Sequence, residues 1–128
     1  MPEPSIFTKI INGEVPCHKV YEDDLTIAFL TIAPVQPGHT LVVPKKQIDH
    51  LWDLPNEDYQ ALMATTKKVA LRMRQVLGTQ RIGLKATGEE VPHAHIHLIP
   101  FNSIAEYDSR PVTATNEDLA AMAKKLAI

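Results

Sequence analysis

The segment His93-Ala94-His95-Ile96-His97-Leu98-Ile99-Pro100 constrains this chain more than any other. Histidine alternates with small or apolar residues, and the chain then runs apolar into a proline. Period-two alternation predicts a β-strand, whose successive side chains point to opposite faces. On such a strand His93, His95 and His97 share one face, at steps of roughly 7 Å. Ala94, Ile96 and Leu98 share the other and can pack on a core. Histidine is a rare residue, and half of the six in the chain fall in this one stretch. A row of imidazoles on one face therefore reads as a site rather than as the polar side of an ordinary strand.

The remaining composition limits what that site serves. With 128 residues the chain is expected to form one domain, 1–128, with its core in 5–100 and a C-terminal loop and helix in 101–128. A net charge of -2 gives no basic footprint for nucleic acid. Cys17 is the only cysteine, which leaves no internal disulfide and no cysteine-based zinc cluster. The N-terminal stretch lacks the apolar core of a signal peptide. No apolar run approaches the ~20 residues that span a bilayer. The expectation is a cytoplasmic protein with no membrane partner.

The local pattern predicts an α+β fold. After a loose start over residues 1–4, Ser5 is placed to cap a short helix reaching Ile11. Strands over 17–21 and 26–30 read as a hairpin around Glu22-Asp23-Asp24. Pro34, Pro37 and Gly38 impose an irregular loop, and 40–43 reads as a short buried strand. Asn56 is placed to cap the longest helix, which runs to about Leu77 and ends at Gly78. Tyr59, Leu62, Thr66, Val69, Met73 and Val76 form its apolar face. Another strand over 81–86, a tight connection over 87–90 and the histidine strand follow. Thr115 or Asn116 caps a last helix to about Leu126. Strands cluster as hairpins, so the sheet should be a mainly antiparallel meander with flanking helices.

Two chemistries suit a row of imidazoles. One is metal binding, with His93 and His95 as a chelating pair and His39, His50 or a carboxylate as a further ligand. The other is nucleophilic catalysis on phosphorus. A neutral imidazole is a good nucleophile when a neighbour fixes its tautomer, so that a lone pair faces the substrate. Phosphoryl transfer also needs donors around the phosphate oxygens. Backbone N–H groups of Gly88, Glu89 and Glu90 could supply an anion-binding turn.

At these residues the chain resembles the histidine-triad (HIT) family, whose motif is His-X-His-X-His-X-X with X apolar. His93 to Ile99 matches it in full. Pro37-Gly38-His39-Thr40-Leu41-Val42-Val43-Pro44-Lys45 is similar to the family's Gly-His-X-Leu-Val-X-Pro-Lys segment, and Ile6-Phe7-Thr8-Lys9-Ile10-Ile11 to its opening. The resemblance implies a homodimer with a continuous sheet, a purine nucleotide or nucleotide conjugate as ligand, and no cofactor. It implies hydrolysis or transfer at the α-phosphorus through a nucleotidyl-histidine. It makes His95 the nucleophile and His97 the phosphate contact that assists leaving-group protonation. His93 and His39 become a supporting relay. Ile6, Phe7, Ile10 and Ile32 would line the base pocket.

The chain departs from the family in three places. Thr31 stands where an acidic residue usually holds the ribose, and a hydroxyl cannot make the bidentate carboxylate contact. The loop before the triad is short; Lys85 stands near the place of the family's Asn, and Glu89 where Gln or Ser is common. Glu89 and Glu90 would repel a phosphate unless they turn away or meet a cationic leaving group. Ser5 and Thr8 replace the cysteines with which some bacterial-type members hold a structural zinc, so no such zinc is expected. A binding or scaffold protein with vestigial activity is the alternative to an enzyme.

Overall fold

The computed structural model describes residues 3–128, so residues 1–2 of the expected loose start lie outside the described residues. The chain opens with helix α1 (Ile6–Ile11), whose N-terminus is capped by the Ser5 hydroxyl accepting the Thr8 N–H. Strands β1 (Lys19–Glu22) and β2 (Thr26–Leu30) form the first hairpin. Asp23 closes it, because one carboxylate oxygen accepts the backbone N–H groups of both Leu25 and Thr26. Strand β3 (Thr40–Pro44) returns along β2, and both strands are buried throughout. Their continuous apolar and β-branched runs match strands covered on two faces.

Helix α2 (Asn56–Leu77) then crosses the sheet, followed by β4 (Arg81–Lys85), β5 (Ile96–Phe101), α3 (Ile104–Tyr107) and α4 (Asn116–Leu126). The five strands form one antiparallel sheet in the order β1-β2-β3-β5-β4. One face, with Ala28, Leu30, Val42, Ile96 and Leu98, packs on Leu62, Val69 and Met73 of α2 and Leu119 and Leu126 of α4. The other face carries Ile27, Phe29, Leu41 and Val43 against Phe7 of α1. The α+β class and the antiparallel meander are as expected. No helix among the described residues is long and apolar enough to cross a membrane.

Several boundaries differ from the sequence reading. The most consequential is that β5 begins at Ile96, so His93 and His95 do not lie on a strand with His97. The His93 N–H bonds the Val91 carbonyl at 2.8 Å, and the Ala94 N–H bonds the Ile48 carbonyl at 2.7 Å. Pro92 lies inside this bend and lacks a donor of its own. Asn56 is the first residue of α2 rather than its cap, since Pro55 holds the cap position. Glu57 and Asp58 in the first turn offset the exposed N–H groups there. Gly78 takes the left-handed φ of 67° that ends α2. Two short elements were not expected. One is α3, announced by Ser103 and Glu106 at capping-box spacing. The other is a single 3-10 turn, Leu51–Asp53.

Met73 is fully buried between α2 and the sheet. Met73→Ala should lower the unfolding free energy by about 2–5 kcal/mol. Chemical denaturation checks this, with a lower midpoint and an unchanged slope expected.

Candidate active site

The register of the sheet gathers the first part of the site. His97 on β5 pairs with Leu41 on β3 and with Lys85 on β4, so the three side chains share one face. His39 directly precedes β3 and is buried. The two imidazoles meet, His39 Nε2 to His97 Nδ1, at 2.9 Å. The backbone fixes which nitrogen carries the proton. The Val35 N–H donates to His39 Nδ1 at 3.0 Å, and an amide N–H cannot accept. His39 therefore holds its proton on Nε2 and donates it to His97 Nδ1. His97 in turn carries its proton on Nε2, a buried atom with no hydrogen-bond partner among the described residues. A buried donor left unpaired is costly unless a ligand or water meets it.

The other two histidines are fixed by carbonyl oxygens, which only accept. His95 Nδ1–H donates to the His93 carbonyl at 2.7 Å, leaving a lone pair on Nε2. His93 Nε2–H donates to the Pro44 carbonyl at 2.7 Å, and its Nδ1 accepts the Ser5 hydroxyl at 2.7 Å. Both ring nitrogens of His93 are thus consumed by structure. This corrects the relay expected between His93 and His39. The His39 ring serves His97, and His93 serves His95 through its carbonyl. It also corrects the chelating pair of His93 and His95, since His93 has no lone pair to offer.

Phe7 is buried, with its ring edge-on to His93 and His95 at centroid distances of 5.7 and 5.0 Å. It is a wall that holds the imidazoles rather than an open surface. Ile6 and Ile32 are exposed, Ile10 is half-buried, and Thr31 follows β2 with its hydroxyl accepting the Ala33 N–H at 3.2 Å. Gly88 takes a φ of +75° in the loop before the triad. Gly88 and Glu89 line a groove of about 360 Å³ together with His95, Asp49 and the exposed Trp52. Glu90 points at the chemistry. Its carboxylate lies 3.7 Å from His95 Nε2 and accepts the Thr87 hydroxyl at 3.4 Å. Its own backbone N–H and the nearby His97 and His95 hold its pKa below the usual carboxylate value. The carboxylate thus stands where an anion would meet the backbone turn.

A family model described as the HIT domain matches residues 12–104. The chain belongs to the HIT family. It is 38% identical over 109 residues to the purine nucleoside phosphoramidase of Escherichia coli, covering 77% of this chain and 88% of that one. It is 34% identical over 100 residues to an adenosine 5'-monophosphoramidase of Schizosaccharomyces pombe, covering 74% and 72%. Its fold superimposes on a HIT-like protein of Bartonella henselae with a TM-score of 0.86, 33% identity and coverage of 98% and 96%.

Within this HIT chain, Ser5 and Thr8, which stand where some members are expected to carry zinc-binding cysteines, belong to a hydrogen-bond network. The Thr8 hydroxyl donates to Gln47 Oε1 at 2.6 Å, the Ser5 N–H donates to the same oxygen at 2.8 Å, and the Ser5 hydroxyl reaches His93. Neutral hydroxyls and an amide are poor zinc ligands beside thiolates. Elsewhere, the ligand atoms of Glu90, His95 and His97 lie within 4.8 Å of one another. His97 offers an N–H there, so two donors remain. Recruiting its lone pair would turn the His39 Nδ1–H against the Val35 N–H. The site as wired suits an anion better than a cation.

Burial drives the electrostatics. Desolvation, with His97 and Lys85 nearby, lowers the His39 pKa to about 3. Desolvation and His95 lower that of His97 to about 4. Both rings are neutral at pH 7, as the tautomer chain requires. Their protons are taken up more readily by the unfolded chain, from about pH 6.5 downward. Stability should therefore be full above pH 6.5 and fall as pH drops toward 4. Thermal melts across this range check it: His39→Gln should give a shallower acid slope than the native protein.

Proposed function

We propose that this protein is a nucleotide hydrolase or nucleotidyl transferase. It acts at the α-phosphorus of purine nucleoside phosphoramidates or dinucleoside polyphosphates, within one domain spanning residues 1–128. The observation that carries this reading is the opposed pair at the centre of the site, a His95 Nε2 lone pair beside a His97 Nε2–H. The relatives named as phosphoramidases support the reaction class.

In the proposed reaction His95 Nε2 attacks phosphorus as the bond to the leaving group breaks. The positive charge that develops on the His95 ring is held through Nδ1–H by the His93 carbonyl. His97 donates a hydrogen bond to a phosphate oxygen or to the leaving atom. The His39–His97 chain ends on a backbone N–H and carries no spare proton, so neutral His97 stabilises charge rather than acting as an acid. Water then cleaves the nucleotidyl-histidine and restores His95. Ile6, Ile10 and Ile32 would meet the base, and the Thr31 hydroxyl the ribose. Phe7 backs the histidines.

The open side of β4 supports the homodimer. Among the described residues β4 pairs only with β5, and Leu84 on that strand is an exposed apolar residue. Sedimentation of the native protein should give twice the chain mass, and Leu84→Asp should shift it toward the monomer.

A second reading, a nucleotide-binding protein with weak turnover, is favoured by one observation. The Glu90 carboxylate occupies the approach to His95 Nε2. Glu90→Gln should tighten AMP binding about threefold or more, measured by calorimetry, because it removes a like charge from the phosphate site.

Release of AMP from adenosine 5'-phosphoramidate, with chelator present, tests the main reading. The native protein should turn the substrate over, and His95→Ala should lose about a thousandfold or more. Equal release by both proteins would remove His95 as nucleophile.

A further inference from the structure

One charged group on the active face has no task in the reading above. Lys85 ends β4 and is the direct cross-strand partner of His97. Antiparallel partners hold their Cβ atoms about 4.5–5.5 Å apart on the same face. The Lys85 side chain therefore rises beside the imidazole whose Nε2–H is buried and unpartnered. Lys85 is half-buried, and among the described residues it has no carboxylate partner and no hydrogen bond. Lys19, Lys45 and Lys46, by contrast, pair with acids.

The position is built. The Lys85 Nζ lies over the Tyr107 ring, 5.9 Å from its centroid. Tyr107 is held in turn by the sheet. It stacks edge-on with Phe101 at 5.2 Å and lies so close to Gly83 that a Cβ there would meet its ring at 2.5 Å. A side chain at residue 83 would thus displace the tyrosine under the lysine. The ammonium is also near enough to His39 and His97 to contribute to the lowering of both their pKa values.

We propose that Lys85 is the phosphate-neutralising cation of this site. It would meet, beside the His97 N–H, the oxygens of an anionic leaving group of the phosphate class attached to the α-phosphorus. The inference rests on the nucleotide-site reading and narrows it. Glu90 lies toward His95, on the side of the attacking nitrogen, and Lys85 lies beside His97. The site thus carries one acid and one base, Glu90 near His95 and Lys85 as the cross-strand partner of His97. Lys85 favours substrates whose leaving group departs with negative charge, such as dinucleoside polyphosphates, over those that release a neutral amine. A charge-assisted contact of this kind is among the stronger hydrogen bonds available to a protein.

Equilibrium binding tests this without turnover. The probes are AMP and adenosine 5'-(α,β-methylene)diphosphate, whose bridging carbon cannot be cleaved. At fixed ionic strength the native protein should bind the methylene diphosphate about tenfold more tightly than AMP. Lys85→Met should abolish that preference, and Lys85→Arg should restore most of it. A native protein without the preference, or a Lys85→Met variant that keeps it, would overturn the assignment. Failure of the catalytic reading shows separately, as AMP release that does not depend on His95.

Discussion

Three backbone groups decide the chemistry of this site. The Val35 N–H can only donate, and the carbonyls of His93 and Pro44 can only accept. Each is bonded to one nitrogen of one imidazole. Because a neutral imidazole has one donor and one acceptor, the opposite nitrogen is fixed as well. Burial keeps the His39 and His97 rings neutral, so their assignment holds at ordinary pH. Four histidines that are chemically alike in the sequence thus become one with a free lone pair, one with a free N–H and two supports. Side chains alone could not impose this, since a hydroxyl or another imidazole can reverse its role.

The anchors exist only because the triad is not a regular strand. On a strand, the His93 carbonyl and the His95 ring would point along different directions, outward from the sheet and out of its plane. The bend at residues 91–95 lets the His95 ring fold back onto the carbonyl two residues before it. Helix α1 secures that bend from outside. Its cap, Ser5, spends one hydroxyl on two tasks, accepting the Thr8 N–H and donating to His93. Gln47 joins the same cluster from the loop after β3. Three distant segments therefore meet through neutral polar groups. The Phe7 ring covers the cluster and excludes water, which strengthens each bond inside it.

Much of this was legible in the sequence. The hydrophobic period of 59–76, the glycine at 78 and the serine at 5 carry their own local physics, and the elements formed where those signals lie. The pairing of His39 with His97 was visible only as two motifs, because their contact depends on the register of β3 against β5. The strand drawn through His93 failed for a physical reason. Alternation reports which side chains are polar, but a bend closed by backbone bonds to Val91 and Ile48 leaves the alternation unchanged. In the sequence Lys85 stands out only as a residue near the place of the family's Asn. Its significance needs the β4–β5 register, a long-range fact that no window of sequence contains.

The proton wiring also limits which leaving groups the site can serve. A neutral His97 that gave up its Nε2 proton would need one at Nδ1, and His39 would then have to replace its own. The Val35 N–H offers hydrogen bonding but no exchangeable proton for catalysis, so the chain of transfers stops there. An amine that departs as an anion is excluded by its high basicity, and it must arrive already protonated. A phosphate departs readily as an anion and needs charge stabilisation instead. The His97 N–H beside the Lys85 ammonium supplies that stabilisation. The position of Lys85 and the locked tautomer of His97 are independent features of the fold, one set by strand register and the other by a loop amide. Both point to the same class of leaving group.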